Sequence, residues 1–453
     1  MSASVFRGAV ALVATVAGSA GQGCSFVKGM DVGSPSTIIK HMPSIASEDE
    51  CCAACSSEPA CVVAILFAPA NAVAGCWLKD GTGGNESKSD ALACFLPGRQ
   101  PASTAVNLTM LPSNTSGRCM DGSPSGYYFA ANKSSTTWVL NLEGGGECAS
   151  KVLCESRRGS ALYSSKYFKQ RMDDSNGGYL TSGDASNPLA DANRVFIPYC
   201  SQDLWTGQRR VASADTWGFY FSGHLVLEAV LDELDQQGLK DATRIILSGE
   251  SAGGIGVWPN LDWLAHRYPL ARVIGVPIAG FYFWAYPYEG PGHTQSGLAD
   301  FREPAWPGHV ALWDSFVDAE CAAAIGAWKC VLANNSFPYI TSEAFIVESN
   351  VDKVVTTAHD WVPGGQDPNW SSSVLAYFKE WAANMTVGLT PSMSPSSKNG
   401  VFNPACFIHT SFGDSGPILE GKTYLQAFAQ WLEGSPVKLQ DSCGILCNPS
   451  CPH

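Results

Sequence analysis

From residue 119 onward, short apolar runs alternate with longer stretches of helical period. TTWVLNL, RVFIPYC, TRIILSG, RVIGVPIAG, EAFIVESN and ACFIHTSF are rich in β-branched residues and end in glycine or polar residues. They read as buried strands that end in loops. GHLVLEAVLDELDQQG and AGGIGVWPNLDWLAHR carry apolar residues at helical spacing, and Pro259 is a point where the second bends or breaks. Such alternation predicts an α/β fold with a largely parallel central sheet and flanking helices. TPSMSPSSKNG, residues 390–400, reads as a Ser/Pro-rich loop before the last strand.

The pattern upstream is different. Residues 24–95 form a compact cysteine-rich unit. In SEDECCAACSSEPAC, Ser47 and Glu50 make a capping-box signature, so a helix is expected to start there. Cys51 and Cys55 then share one helical face, where they can staple the helix to strands in GCWLKDG and ALACFLPG. CCAAC, a cysteine six residues on and then CWLKD resemble the PAN/apple family of small disulfide-bonded domains, which implies a carbohydrate or protein partner for this unit. Residues 96–117 have the Pro, Ser, Thr and Asn content of a linker, leaving 118–453 as the large domain.

Composition narrows the setting. Arg7, the apolar stretch Gly8 to Val16 and the small residues Gly18, Ser19 and Ala20 have signal-peptide anatomy, so residues 1–22 read as a leader and the protein as secreted. That run is too short to span a bilayer, and no later one approaches a membrane-spanning length. Seventeen cysteines fit an oxidising compartment. Seven of them lie between residues 24 and 94, an odd number that leaves one without a partner inside that group. Seven Asn-x-Ser/Thr sequons fit a glycosylated protein. A net charge of −13 with no Lys/Arg cluster argues against nucleic acid and anionic membranes as partners.

RIILSGESAGGIG carries the chemistry. A strand runs into Gly249-Glu250-Ser251-Ala252-Gly253 and a helix follows, the context that lifts a nucleophilic serine clear of a sheet. The hydroxyl needs a base, and the order expected on this scaffold is serine, acid, histidine. Later histidines are His266, His293, His309, His359, His409 and His453, of which His409 alone follows a short apolar strand at a domain-length separation. Asp352, in the loop after EAFIV, is the expected acid, with Glu348 next and Asp360 and Asp367 further out. LNLEGGGEC ends a strand in three glycines whose N–H groups, with that of Ala252, suit an oxyanion.

Taken in order, CMDGSPSGYYF, LEGGGEC, VFIPYCSQDLWTG, SGESAGGIGV, NPACFIHTSF and DSCGILCNPSCP resemble the pectin acetylesterase/Notum family of secreted serine carboxylesterases, over roughly residues 115–451. The resemblance implies an α/β-hydrolase-like fold, a triad of Ser251, Asp352 and His409, and an oxyanion hole from the backbones of Gly145, Gly146 and Ala252. It also implies the disulfides Cys119–Cys200, Cys148–Cys154 and Cys321–Cys330, and pairing among Cys406, Cys443, Cys447 and Cys451. Two stretches depart from the family pattern, at residues 146–147 and at residue 278. Gly146 stands where Notum-like enzymes carry a bulky aromatic beside a lipid-acyl pocket, and Glu147 follows where an aromatic is usual. Ile278 replaces an acidic residue in IAGFYFWAYPYEG.

Glu147, Trp205, Phe281 and Tyr282 are the expected pocket residues, the aromatic run offering sugar-stacking faces, an apolar acyl pocket or plain loop packing. The expected activity is removal of an acyl group, acetyl from a polysaccharide, with no metal or cofactor. A lipid acyl group on a protein is the second substrate expectation. A binding or adhesion protein with a silent hydrolase scaffold is a third reading, from another class.

Overall fold

The computed structural model describes residues 25–32, 38–58, 60–67, 74–80, 85–95, 106–172, 179–181, 183, 187–294, 298–363, 370–413 and 416–452. The expected leader, Cys24, Asp367 and His453 lie outside them. The chain divides into two compact units at Ser103/Thr104.

In the first unit, β1 (Ser25–Val32), β2 (Ile38–Met42), β3 (Val63–Phe67), β4 (Gly75–Lys79) and β5 (Asn85–Phe95) form an antiparallel sheet in the order β1-β5-β3-β4-β2. Helix α1 (Glu48–Ser57) begins at Ser47, whose side chain accepts the Glu50 N–H. The Ser47 hydroxyl also donates to the Glu50 carboxylate at 2.9 Å. Cys51–Cys76 ties α1 to β4, and Cys55–Cys61 closes the turn into β3. A unit with so small a core draws much of its stability from such bridges. Cys94 is the free cysteine among the described residues, and burial pushes its thiol up to about 12.

The second unit holds β6 (Val106–Met110), β7 (Gly126–Ala130), β8 (Thr137–Leu142), β9 (Arg171–Met172), β10 (Asn193–Ile197), β11 (Arg244–Glu250), β12 (Arg272–Ile278) and β13 (Glu343–Val347). It continues with β14 (Val351–Asp352), β15 (Gly400–Asn403), β16 (Phe407–Ile408) and β17 (Lys438–Gln440). Ten strands form one sheet in the order β17-β15-β13-β12-β11-β8-β10-β7-β6-β9. From β17 to β10 all neighbours are parallel, and the three strands beyond β10 run antiparallel. This is a mixed α/β unit of α/β-hydrolase-like architecture. Trp138, Leu140 and Leu142 of β8 enter one core layer and Val139 enters the other. Apolar layers on both faces explain why these strands read as near-continuous hydrophobic runs.

Three local readings change. Residues 106–110, inside the stretch read as linker, pair with β7 on one side and with β9 on the other, because backbone N–H and C=O groups can join a ladder whatever their side chains. Helix Ser372–Met393 runs through Pro391, so the expected loop starts only after residue 393, and β15 precedes the last predicted run. That run, ACFIHTSF, yields only the two residues of β16, which pair with β14 outside the main sheet, and β17 follows it.

Candidate functional site

Helix α2 (Lys151–Ser156) follows the triple glycine, α3 (Gly223–Asp235) precedes β11, and α4 (Ala252–Arg267) follows it without a break at Pro259. Ser251 sits between β11 and α4 at φ 56° and ψ −121°, a conformation costly for a residue with a Cβ. The glycines around it make that turn possible. A Cβ at Gly249 would lie 2.5 Å from the Gly253 carbonyl carbon, one at Gly253 would overlap the Leu142 carbonyl of β8, and one at Gly254 would lie 2.6 Å from the Ile278 oxygen. Helix α4 therefore starts in backbone contact with β8 and β12. The Ser251 N–H donates to the Ile278 oxygen at 3.0 Å.

Asp352 and His409 meet through the two-stranded pair. Asp352 of β14 is in register with Ile408 of β16, so His409 emerges beside it. His409 Nδ1 lies 2.7 Å from Asp352 Oδ2, and Asp352 is fully buried. The N–H groups of Val354 and Val355 both donate to Asp352 Oδ1 at 2.8 Å. One carboxylate oxygen is thus held by backbone and the other is left for the imidazole. The runner-up acid, Glu348, faces elsewhere: its oxygens accept N–H groups of Phe281 and Ser349 at 3.0 Å. Burial first, and the charge of Asp352 second, push Glu348 well above the carboxylate range.

Gly144, Gly145, Gly146, Ser251, Ala252 and His409 line one cavity of about 480 Å³. Gly145 and Gly146 take φ 144° and 72°, which glycine adopts at low cost. The backbone N–H groups of Gly145, Gly146 and Ala252 have no hydrogen-bond partner among the described residues. Glu143, which leads into the glycines, accepts the Tyr199 N–H at 2.7 Å and its carbonyl accepts the Trp205 indole N–H at 3.0 Å. Burial pushes Glu143 up to about 7 against that N–H, and the Glu250 charge adds to the rise.

Of the expected pocket residues, Glu147 and Tyr282 line this cavity. Burial and then the charges of Asp352, Glu348 and Glu147 raise the Tyr282 phenol far above its usual value. Trp205 does not reach the cavity: it is fully buried under α4, against Gly256, and stacks on Tyr199. Phe281 is likewise core, packed edge-on against Trp258 and Phe337. Large aromatic side chains bury most apolar area, and these two are placed where no solvent remains. Along the rest of the aromatic run, Phe283 packs on Trp381, Trp284 stacks on Trp328, Tyr288 is buried and Tyr286 points outward. Ile278, at the departure from the family's acidic residue, is an ordinary core side chain.

Arg157, Leu298, His359 and Thr410 also line the cavity. Sequence reasoning did not place them there. His359 was one of several late histidines without a strand before it, and Arg157 offered no signal beyond standing three residues after Cys154. Cys119–Cys200, Cys148–Cys154, Cys321–Cys330, Cys406–Cys451 and Cys443–Cys447 are bonded. Among the described residues no group of His, Cys, Asp and Glu is placed to hold a metal, and no helix is long and apolar enough to cross a membrane.

The model of one protein family, pectinacetylesterase, matches residues 99–452. The chain is 30% identical over 397 residues to palmitoleoyl-protein carboxylesterase notum1' of Xenopus laevis, covering 81% of this chain and 78% of the relative. It is 30% identical over 370 residues to palmitoleoyl-protein carboxylesterase NOTUM of Homo sapiens, with 75% and 72% covered. Pectin acetylesterase 5 of Arabidopsis thaliana is 28% identical over 355 residues, with 74% and 81% covered.

Proposed function

The chain belongs to the pectinacetylesterase family and is a carboxylesterase, and we propose that its substrate is an acetylated extracellular polysaccharide. Ser251, His409 and Asp352 form the triad. His409 Nε2 takes the Ser251 proton as Oγ attacks the ester carbonyl, and Asp352 holds the imidazole tautomer and balances its charge. The N–H groups of Gly145, Gly146 and Ala252 receive the oxyanion. His409 then gives the proton to the leaving sugar oxygen, and water repeats the cycle to release acetate. The reading rests on the 2.7 Å His409–Asp352 contact in the cavity wall that Ser251 shares.

Gly146 and the charged side chains Arg157, Glu147 and Glu250 around the cavity support a short acyl group over a lipid chain, which would have to desolvate them. The lipid-acyl reading draws on the names of the Xenopus and human relatives. An ester series from two to twelve acyl carbons, run with acetate release from acetylated pectin, separates the two. Highest kcat/KM at two carbons is expected, and a peak at eight or more would overturn the acetyl reading. The N-terminal unit is a PAN/apple-like module that binds carbohydrate or protein and holds the esterase near its substrate. Its antiparallel sheet and bridged helix support this. The leader-like N-terminus and the bridges support secretion.

A further inference from the structure

Two side chains that line the cavity beside Ser251, Arg157 and His359, keep hydrogen-bonding capacity that the described residues do not use. Arg157 caps the C-terminus of α2, and the Cys148–Cys154 bridge fixes that short helix to the glycine loop. Its side chain reaches back over the loop, so that a Cβ at Gly146 would lie 3.3 Å from Arg157 Nη2. Gly146 thus makes room for the guanidinium. The guanidinium makes no hydrogen bond among the described residues; its Nε is buried out of reach of solvent, while the Nη end lies beside Gly146 in the cavity lining. Across the cavity stands His359, in a single π-helical turn after Asp352. Its ring stacks on Phe301 at 3.8 Å and is only 6% exposed. His359 Nδ1 lies 3.0 Å from the Ala299 carbonyl, an acceptor only, so Nδ1 carries a proton. The Ala299 N–H in turn donates to Glu147 at 3.1 Å, which locks this wall. In the tautomer with the proton on Nδ1 the lone pair sits on Nε2, for which the protein supplies no donor among the described residues.

A donor and an acceptor that line a cavity without protein partners are placed to be completed by a ligand. A fatty acyl chain can complete neither. Hydroxyl groups complete both, since each O–H donates to one partner and accepts from another. We infer that Arg157 and His359 form a hydroxyl-reading subsite, in which the Nη end of the Arg157 guanidinium donates to one hydroxyl of the acylated sugar ring and His359 Nε2 accepts from a neighbouring one. This inference rests on the polysaccharide reading and assigns the residues that would carry it. Neither side chain takes part in bond making, and both set specificity for the alcohol half of the ester.

The test compares kcat/KM for a monoacetylated methyl glycoside with free flanking hydroxyls and for 4-nitrophenyl acetate, which has none. Arg157→Gln, Arg157→Met, His359→Gln and His359→Phe are measured beside the wild type, with fluorophosphonate labelling of Ser251 reporting an intact site. The ratio of glycoside to aryl ester is expected to fall about tenfold in each labelled variant, the loss of roughly one hydrogen bond. The Arg157→Gln ratio should drop less than that of Arg157→Met, because the amide still donates. A ratio unchanged in labelled variants overturns the subsite while leaving the polysaccharide reading intact. A wild type that cleaves the aryl acetate but no acetylated sugar overturns both.

Discussion

Replacing Asp352 by asparagine tests the triad at the point where the structure is most definite. Asp352 Oδ1 is pinned by two backbone N–H groups, so an asparagine must keep its oxygen there. Its NH2 then faces His409 Nδ1. A donor against the Nδ1–H forces the other tautomer, with the proton on Nε2, where it can no longer accept one from Ser251. The energy can be sized from the distance. At 2.7 Å and an effective dielectric of about 20, an imidazolium–carboxylate pair is worth about 6 kcal/mol. The neutral imidazole of the resting site already gains about 2 kcal/mol from its hydrogen bond to a charged oxygen. About 4 kcal/mol therefore arises only as the proton moves, or about a thousandfold in kcat. Hydrolysis of 4-nitrophenyl acetate under saturating conditions measures it. The fold should hold, because the amide preserves the shape and removes the charge that opposes ionisation of Glu348. An Asp352→Asn protein with native melting that keeps more than a tenth of wild-type kcat would refute the reasoning.

Two further outcomes follow from the same geometry. Ser251→Ala and Ser251→Gly should both abolish hydrolysis, but glycine relieves the strain at φ 56° and should be about 1 kcal/mol more stable. Equal melting temperatures, or a higher one for alanine, would contradict the strain. Stability should also fall as pH rises from 5 to 8. Burial raises Glu143 to about 7, Asp203 to about 6 and Asp360 to about 7. Acids raised in the folded state contribute stability that is full below their unfolded values and lost as pH climbs through the folded ones. His224, lowered by burial to about 4, and His309, also lowered by burial, have the opposite sign and lose their contribution as pH falls below 6.5, but they stand against four raised acids, since burial raises Glu348 as well. Thermal melts at pH 5 and 8 check the direction, and Asp360→Asn should flatten the slope.

Much of this site was legible from residue order. Ser251, its glycines and the triple glycine at 144–146 announce themselves because a tight strand–helix turn and an exposed backbone demand small residues at fixed spacings. Strand-then-loop placement singles out Asp352 and His409, which lie 2.7 Å apart in the structure, although the strand before His409 is only two residues long. The pocket was read less well. Trp205 and Phe281 were chosen for their chemistry, yet packing consumed them, because a large aromatic side chain serves a core as readily as a ligand. Arg157 and His359 escaped because nothing local marks a residue whose neighbours arrive from distant segments.

The sequence by itself determined what depends on local backbone and on apolar period: strands buried on both faces, the strained serine turn, the capped and bridged helix of the small unit. Tertiary structure decided which polar groups were left over. Whether an arginine finds a carboxylate, or an imidazole a donor, depends on what every other segment places beside it. Among the described residues the Arg157 guanidinium and His359 Nε2 lack a protein partner at one cavity because α2, the segment around Ala299 and the turn after β14 converge there.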